Sequence, residues 1–486
     1  MSSRRSRSGL QGVLSRIGVW NRSPRDPEGH SQLSSRDLGR LDRVFARLVE
    51  APELSERRRL AAELVTLWAE DVPPARENLL RALADQSLPD ADRRANLGAL
   101  GSVSPDGRAA DRQRLELLAE AQQALRMQAD AVLDELSAAP GGVRFLIELR
   151  AAAAVVADRD PDPAAAALDL LVRSRLRVLM TPSLIQVRRV DWDTPASLLQ
   201  RISVLEKVHP IESIEQLRDR LDTDRTAFAL FHPGMDDEPL AFVWVAFTKG
   251  MPDSLGPITD PAAPTVDLGS ADTAVFWSIS SPQRGLAGLG LGNELIKAAV
   301  ARLRTEQPNL DSYVTLSPVP SFAQHVLGSI DDAPPAAVAA PEGGEDTVAE
   351  AVPGEPPQGV LARLGMNRSA DDVSRLLVDD VWMVSHEADE LAEPMMRLAA
   401  EYLSTTDDSG RSPDPVANFH LGNGAQLARV CWGADRSPDG VARSLTLMVN
   451  YRYEPEQLSE RARRYRIDGR VSLSDEVARL LDEASG

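Results

Sequence analysis

From about residue 31 to 185 the apolar residues recur every three or four positions, the spacing of one helical face. In "SERRRLAAELVTLWAED", Ser55 is placed to cap a helix whose Leu60, Leu64 and Leu67 share one side. Leu115, Leu118, Gln122, Leu125, Ala129, Val132 and Leu136 alternate spacings of three and four, with Gln122 the one polar interruption. Such a seam packs against other helices. "AAPGG" at 138–142 ends that helix, and another is expected from near Val143. No chemistry stands out in this half, so the pattern predicts a helical bundle that scaffolds or oligomerises.

The pattern changes after "MTPSLIQVRRVDWDTPASLL" (180–199). "TAFALFH", "PLAFVWVAFT", "TAVFWSIS" and "SYVTLSP" are short β-branched and aromatic runs, the signature of strands. Helical spacing lies between them at 196–206, ending at Glu206, and at 292–306. The expected fold is an α/β (α+β) domain with a mostly antiparallel or mixed sheet. Residues 331–358 are rich in Pro, Ala, Gly and acids and cannot bury enough apolar area to offset their ordering entropy. They read as a disordered insertion in a surface loop. Helical spacing resumes in "VLARLG" and "PMMRLAAEYLS". "NFHLGNGAQLARVCWGAD" (418–435) reads as strand-like groups around a Gly-Asn-Gly turn, and "SLTLMVNYRY" (444–453) as a last strand. The chain therefore divides into a basic tail (1–30), a helical bundle (31–185) and a mixed-sheet domain (186–486).

Composition narrows the function. Across 486 residues, 43% are hydrophobic and 26% charged, a globular profile. The formal net charge of -19 excludes a general nucleic-acid binder, which needs a basic footprint. A local helix N-terminus can still hold an anion. The one cysteine, Cys431, allows no intramolecular disulfide and fits a reducing compartment. Inside the apolar "LARVCW" it reads as a buried structural thiol. No apolar stretch approaches the ~20 residues of a membrane span. The first 25 residues hold several arginines and serines and no acid before Asp26. They read as a disordered tail of a cytoplasmic protein; the alternative is a transit peptide to the mitochondrial matrix, with Leu10, Val13, Leu14 and Ile17 on one helical face.

The strongest local signal for chemistry is "FWSISSPQRGLAGLGLGNELIKAAVARL" (276–303). A strand enters a loop with Gly285, Gly288, Gly290 and Gly292, and a helix follows with Leu295, Ile296, Ala299 and Leu303 on one face. Such glycines let backbone N–H groups close on a phosphate, and the helix dipole adds to the attraction. No Gly-Lys-Ser/Thr follows, and no β-α-β unit with a downstream acid appears, so neither a Walker loop nor a Rossmann turn fits. The unit resembles the pyrophosphate-binding turn of acetyl-CoA-dependent N-acetyltransferases; the structural alternative is a glycine-rich turn into an ordinary helix. In "SYVTLSPVPSF" (312–322) a strand ends at Ser317, because Pro318 and Pro320 cannot continue a ladder. Ser317 is a turn residue unless a histidine reaches it. Among six histidines, none has metal-ligand spacing, so no metal is expected. His209 precedes Pro210 and could serve structure or chemistry; His232 sits at an expected loop tip; His30, His325 and His386 receive no role.

Several motifs together resemble the malonyl-CoA decarboxylase family: "VDWDTPASLLQRI", the "VHP" at 208–210, "FWSISSPQRGLAGLGLGNELIK", "LSPVPSF", "NFHLGNGAQLARVCWGAD" and "LMVNYRY". The resemblance runs from roughly residue 50 to the C-terminus and is weaker in the helical half. It implies a helical domain followed by a catalytic domain of acetyltransferase-like (GNAT-like) fold. It also implies conversion of malonyl-CoA to acetyl-CoA and carbon dioxide without biotin, metal or nucleotide, coenzyme A being part of the substrate. Carried to this chain, it makes Ser317 and His420 the catalytic pair and places the coenzyme A loop at Ala287, Gly288, Leu289, Gly290, Leu291, Gly292 and Asn293. Ser278, in "WSIS", and Tyr453, in "NYRY", fall in the active-site region. Gly290 departs from the family pattern, which has an acidic residue there. The helical half and the family's habit imply a homo-oligomer.

Loss of carbon dioxide from a malonyl thioester leaves an enolate whose oxygen needs preorganised donors and whose carbon needs a proton. The expectation is that His420, with a pKa near neutrality, stabilises the enolate or protonates its carbon. Ser317 would orient the carboxylate or relay the proton. Two other readings compete: a coenzyme A-dependent N-acetyltransferase, and a non-catalytic acyl-CoA-binding protein.

Overall fold

A computed structural model describes residues 35–70, 73–86, 128–159, 162–331, 386–407 and 409–482. The basic tail, the insertion beyond Asp331, "VLARLG", and Leu115 to Leu125 of the apolar seam lie outside the described residues. The chain divides into two compact units, one ending at Leu176 and the next beginning at Arg177.

The first unit is helical: α1 (Ser35–Glu50), α2 (Leu54–Glu70), α3 (Pro73–Asp85), α4 (Gln128–Ala138), α5 (Gly142–Arg159) and most of α6 (Pro163–Leu179). Leu60, Leu64 and Leu67 of α2 are buried together, as their spacing predicts. Burying each such side chain contributes roughly 1.5–3 kcal/mol. Ser55 lies inside α2 rather than capping it, because the helix starts one residue earlier, at Leu54. Trp68 meets Phe145 edge-on at 5.2 Å and donates its indole N–H to Glu148 at 3.0 Å. Ala129, Val132 and Leu136, the described part of the seam, are all buried in α4.

The second unit is built on one eight-stranded mixed sheet. Its strands are β1 (Gln186–Val190), β2 (Arg225–Phe231), β3 (Ala241–Thr248), β4 (Thr273–Ser280), β5 (Ser312–Thr315), β6 (Ser317–Pro318), β7 (Gln426–Cys431) and β8 (Met448–Arg452). β1 to β4 form an antiparallel meander, β4 and β5 run parallel, and β8 pairs antiparallel with β5, β6 and β7. The helices are α7 (Ala196–Leu205), α8 (Ile214–Asp219), α9 (Gly256–Thr259), α10 (Leu291–Glu306), α11 (Phe322–Asp331), α12 (His386–Ser404), α13 (Pro415–Gly422), α14 (Pro438–Ser444), α15 (Leu458–Asp468) and α16 (Asp475–Asp482). A helical region followed by a mixed-sheet domain is the predicted class. The strand, glycine loop and helix are present as β4–α10, and α10 crosses to the parallel β5.

Each sheet face has its own cover. Phe242, Trp244 and Ala246 of β3, Val275 and Trp277 of β4, and Val314 and Leu316 share one core with α7 and α8. On the other side α10 packs on β2 and β3 through Leu295, Ile296, Ala299, Val300 and Leu303. β4 bulges at Trp277, because Trp244 pairs with Ser278 and Val245 with Phe276. The extra residue turns Trp277 and Ser278 to the same face. β4 and β5 stay paired only as far as Phe276 and Thr315. Ser278 and Ser317 therefore each stand two residues past the last pair, on opposite faces of the sheet.

Two segments depart from the sequence reading. Residues 415–422 are helix, so His420 sits in the last turn of α13 and not among strand residues. Asp414 caps that helix, accepting the N–H groups of Val416 and Ala417 at 2.9 Å, and Pro415 occupies its first position. The run 444–453 begins as the end of α14, and Leu445 and Thr446 take positive φ before β8 starts at Met448. Ser437 followed by Pro438 starts α14 in the same way.

Candidate active site

Ser317, His420 and Tyr453 arrive from three elements and meet in one buried line. β6 carries Ser317, α13 carries His420, and Tyr453 follows β8, its N–H bonded to the Tyr313 carbonyl at 2.8 Å. Ser317 Oγ lies 3.0 Å from His420 Nε2, and His420 Nδ1 lies 2.7 Å from the Tyr453 hydroxyl. Ser317 donates its own proton to Thr315 Oγ1 at 2.9 Å. That geometry fixes the rest of the line: Nε2–H donates to Ser317, and Tyr453 O–H donates to Nδ1. Thr315 Oγ1 also accepts the Tyr451 N–H at 3.3 Å.

Aromatic rings enclose the imidazole. Tyr451 stacks on it at 4.5 Å and 21°, and Phe419 meets it edge-on at 5.0 Å. His420 is 2% exposed. Full burial pushes its pKa down to about 3. The near-neutral value expected from sequence is thus displaced by desolvation, and the ring is neutral at physiological pH. Burial likewise raises Tyr453 and Tyr451 well above the ordinary phenol range. All three groups in the line are uncharged.

One carboxylate holds the two halves of this line together. Asp414 caps the helix that carries His420 and also accepts the Ser321 N–H at 3.3 Å, in the turn after Ser317. Burial raises its pKa, partly offset by the Ala417, Ser321 and Val416 N–H groups.

The glycine loop lies on the same face. Gly288 and Gly290 have φ of 73° and 81°, the left-handed region, and Gly290 is the N-cap of α10. Gly290 is thus suited to its backbone, whereas an acidic residue there would be strained. Gly292, in the first turn, packs on Phe419: a Cβ would stand 2.9 Å from the ring edge. The loop therefore touches the wall of the His420 pocket. Asn293 Oδ1 is buried without a hydrogen-bond partner, Ala287, Gly288 and Gly290 are exposed, and Leu289 is half-buried. Leu291 is buried in the first turn of α10.

Ser278 is placed elsewhere. It donates to Glu206 Oε2 at 3.2 Å, on the opposite face from Ser317. Glu206, 2% exposed, also accepts from Trp244 Nε1 at 2.8 Å, from Ser280, and from the N–H groups of Val208 and His209 at 2.7 and 3.0 Å. Sequence reading passed over Glu206, noted only as a helix end, and over Thr315 and Tyr451. The signal for Glu206 was an acid directly before "KVHP", at a helix end where the following Val208 and His209 N–H groups turn back to it.

Cys431, His232 and His325 have structural settings. Burial pushes the Cys431 thiol up to about 12, which suits a core residue. His232 accepts the Gly234 N–H at 3.0 Å in a turn, and His325 stacks on Tyr402 at 4.5 Å. Among the described residues no three His, Cys, Asp or Glu side chains cluster closely enough to hold a metal ion. No described helix is long and apolar enough to cross a membrane.

Residues 183–486 match the family model of the malonyl-CoA decarboxylase C-terminal domain. The chain is 28% identical over 490 residues to the mitochondrial malonyl-CoA decarboxylase of Anser anser anser, covering 98% of this chain and 94% of that protein. It is 32% identical over 351 residues to the mitochondrial malonyl-CoA decarboxylase of Mus musculus, covering 71% of this chain and 69% of that one. The crystal structure of malonyl-CoA decarboxylase from Agrobacterium vitis superposes with a TM-score of 0.74 at 29% identity, over 91% of this chain and 99% of that one. The enzyme from Rhodopseudomonas palustris gives 0.72 at 30% identity, with the same coverage.

Proposed function

This chain belongs to the malonyl-CoA decarboxylase family, and from that premise we propose that it converts malonyl-CoA to acetyl-CoA and carbon dioxide at the Ser317–His420–Tyr453 line. The observation that carries the reading is the line itself, a buried, neutral chain of hydrogen bonds beside a glycine loop. The loop at 287–293 and the first turn of α10 receive the substrate's pyrophosphate through backbone N–H groups and the helix dipole. The thioester then lies where β4 and β5 part, between Ser278 and Ser317.

As the bond to the carboxylate breaks, its electron pair passes to the thioester enolate and carbon dioxide leaves. Both ring nitrogens of His420 are already engaged, so the substrate meets the line at Ser317. Ser317 exchanges its bond to Thr315 for one to the enolate and supplies the proton to carbon. His420 Nε2–H restores the serine, and Tyr453 O–H follows at Nδ1. One proton is consumed per turnover and returns from water. The dry aromatic pocket favours a step in which an anionic carboxylate becomes neutral carbon dioxide. No cofactor beyond the substrate's coenzyme A is assigned a role.

The helical unit is assigned to self-assembly, supported by the exposed Leu54, Val155 and Leu170 on its helices, and sedimentation of the purified protein checks it. The cytoplasm fits the single reducing-compartment cysteine, and the mitochondrial matrix remains the alternative that the relatives' names support.

The test is purified protein with malonyl-CoA and no amine. Acetyl-CoA and carbon dioxide should appear in equal amounts, and His420→Ala should abolish both. Binding without turnover would contradict the reading, as would acetyl transfer that requires an added amine.

A further inference from the structure

The face of the sheet opposite His420 carries an open cleft of about 710 Å³. Its walls come from the turn at His209 and Pro210, from Arg220 after α8, from Ser254 to Thr259, and from the 433–437 loop. That volume lies in the range of small-molecule sites, and nothing in the Ser317–His420 chemistry uses it.

Arg220 lies over two indole rings and leaves a donor unspent. Its guanidinium carbon lies 5.2 Å from the centre of the Trp277 ring and 5.6 Å from that of Trp244. Nη2 donates to the Pro210 carbonyl at 3.2 Å, but Nη1 is buried with no acceptor. Trp277 Nε1, on the ring that Arg220 covers, is a second buried donor with no acceptor. Buried donors in folded proteins are nearly always paired, so the unpaired Nη1 of a guanidinium on the cleft wall marks a place for an acceptor. Glu206 does not fill the role: its oxygens already take five neighbouring groups, and no carboxylate among the described residues stands within ion-pair distance of Arg220.

We propose that this cleft binds a small molecule through a carboxylate received by Arg220, the guanidinium on its wall. A planar guanidinium stacked on indoles is weakly hydrated and preorganised for a planar carboxylate. The balance of charge favours one negative charge over the two of a phosphate: Arg220 and Arg436 face Glu206 and Asp435. Burial holds His209 below its usual pKa, so beside Trp277 it is a neutral wall. Asp435 and the hydroxyls of Ser254, Thr259 and Ser437 line the rest, so the ligand is polar beyond its carboxylate.

Calorimetric titration of the full chain with malonate, acetate and inorganic phosphate tests this without turnover, apart from the decarboxylation assay. Malonate and acetate should bind saturably and phosphate at least tenfold more weakly. Arg220→Met should weaken the carboxylates by about 10- to 100-fold, the loss of a charged hydrogen bond. Thr259→Trp, at an exposed position on the cleft wall, should block binding while leaving the guanidinium intact, which covers the case in which Arg220→Met fails to fold. Competition of malonate with malonyl-CoA would identify the carboxylate as the substrate's own, and non-competitive behaviour would identify a separate ligand. No saturable binding to the wild-type chain, equal binding of phosphate, or unchanged binding in a folded variant would overturn the proposal.

Discussion

Two buried polar clusters flank the point where β4 and β5 part, and they are built on opposite principles. Around Glu206 a carboxylate is surrounded by donors that all point inward, from Trp244, Ser278, Ser280 and two backbone N–H groups. No proton there has anywhere to go. Around His420 every member is neutral and each of Ser317, His420 and Tyr453 can both give and accept a proton. Saturation fixes geometry, whereas ambivalence allows transfer. By that contrast the Glu206 cluster is suited to scaffolding and the His420 line to moving a proton.

Variants can break that contrast. The largest effect belongs to the ambivalent line: Ser317→Ala should lower kcat by about 10²–10⁴-fold, the usual worth of a positioned proton donor. Its stability should fall by only about 1–3 kcal/mol, the cost of one buried donor left unpaired. The saturated cluster should behave the other way. Glu206→Ala leaves the donors of Trp244, Ser278, Ser280, Val208 and His209 without their acceptor, at a cost in urea unfolding of roughly 1–3 kcal/mol for each that stays unpaired. In protein that stays folded, kcat should fall by less than about tenfold; a loss as deep as that of Ser317→Ala would erase the contrast.

A smaller effect tests the link between loop and histidine. Gly292→Ala places a methyl 2.9 Å from Phe419, the ring edge-on to His420. Overpacking of this kind costs about 1–3 kcal/mol. We expect kcat to fall by roughly tenfold at the lower end of that range. A change confined to KM would mean that the loop acts on binding alone.

The smallest signal is in pH dependence. His420 has a folded pKa of about 3 against 6.5 in the open chain, so it favours folding most above pH 6.5. As pH falls from there toward 3, the unfolded state takes up a proton that the folded state refuses, and stability drops. The slope should reach about 1.4 kcal/mol per pH unit. His420→Phe should remove that share of the slope, leaving the share of His209, His232 and His325, whose pKa values are also lowered by burial. Equal slopes in both proteins would mean that His420 is not held neutral.

Much of this was legible in the chain. β-branched runs located β2 to β5, and the glycines before "NELIK" located the loop and α10, because strand and turn chemistry are local. Ser317 and His420 were reachable through their motifs. α13 was not: its short apolar run reads as strand unless Asp414 and Pro415 are taken as a helix start, five residues before the histidine. The depressed pKa of His420 was also hidden, since its burial is completed by Tyr451 and Tyr453, which close on the ring from a separate segment beside the neighbouring Phe419. Ser278 shows the same limit. Its motif marks it as part of the active-site region, but the bulge at Trp277, which turns it toward Glu206, exists only in the pairing with β3.

The central claim, that Ser317 and His420 act as one proton-transfer unit, is tested most directly by kcat for Ser317→Ala, His420→Ala and the double variant. Groups that work as a unit are not additive. The double variant should turn over malonyl-CoA no more than about threefold slower than the worse single variant. Losses that multiply would contradict it, because the two side chains would then be contributing to separate steps.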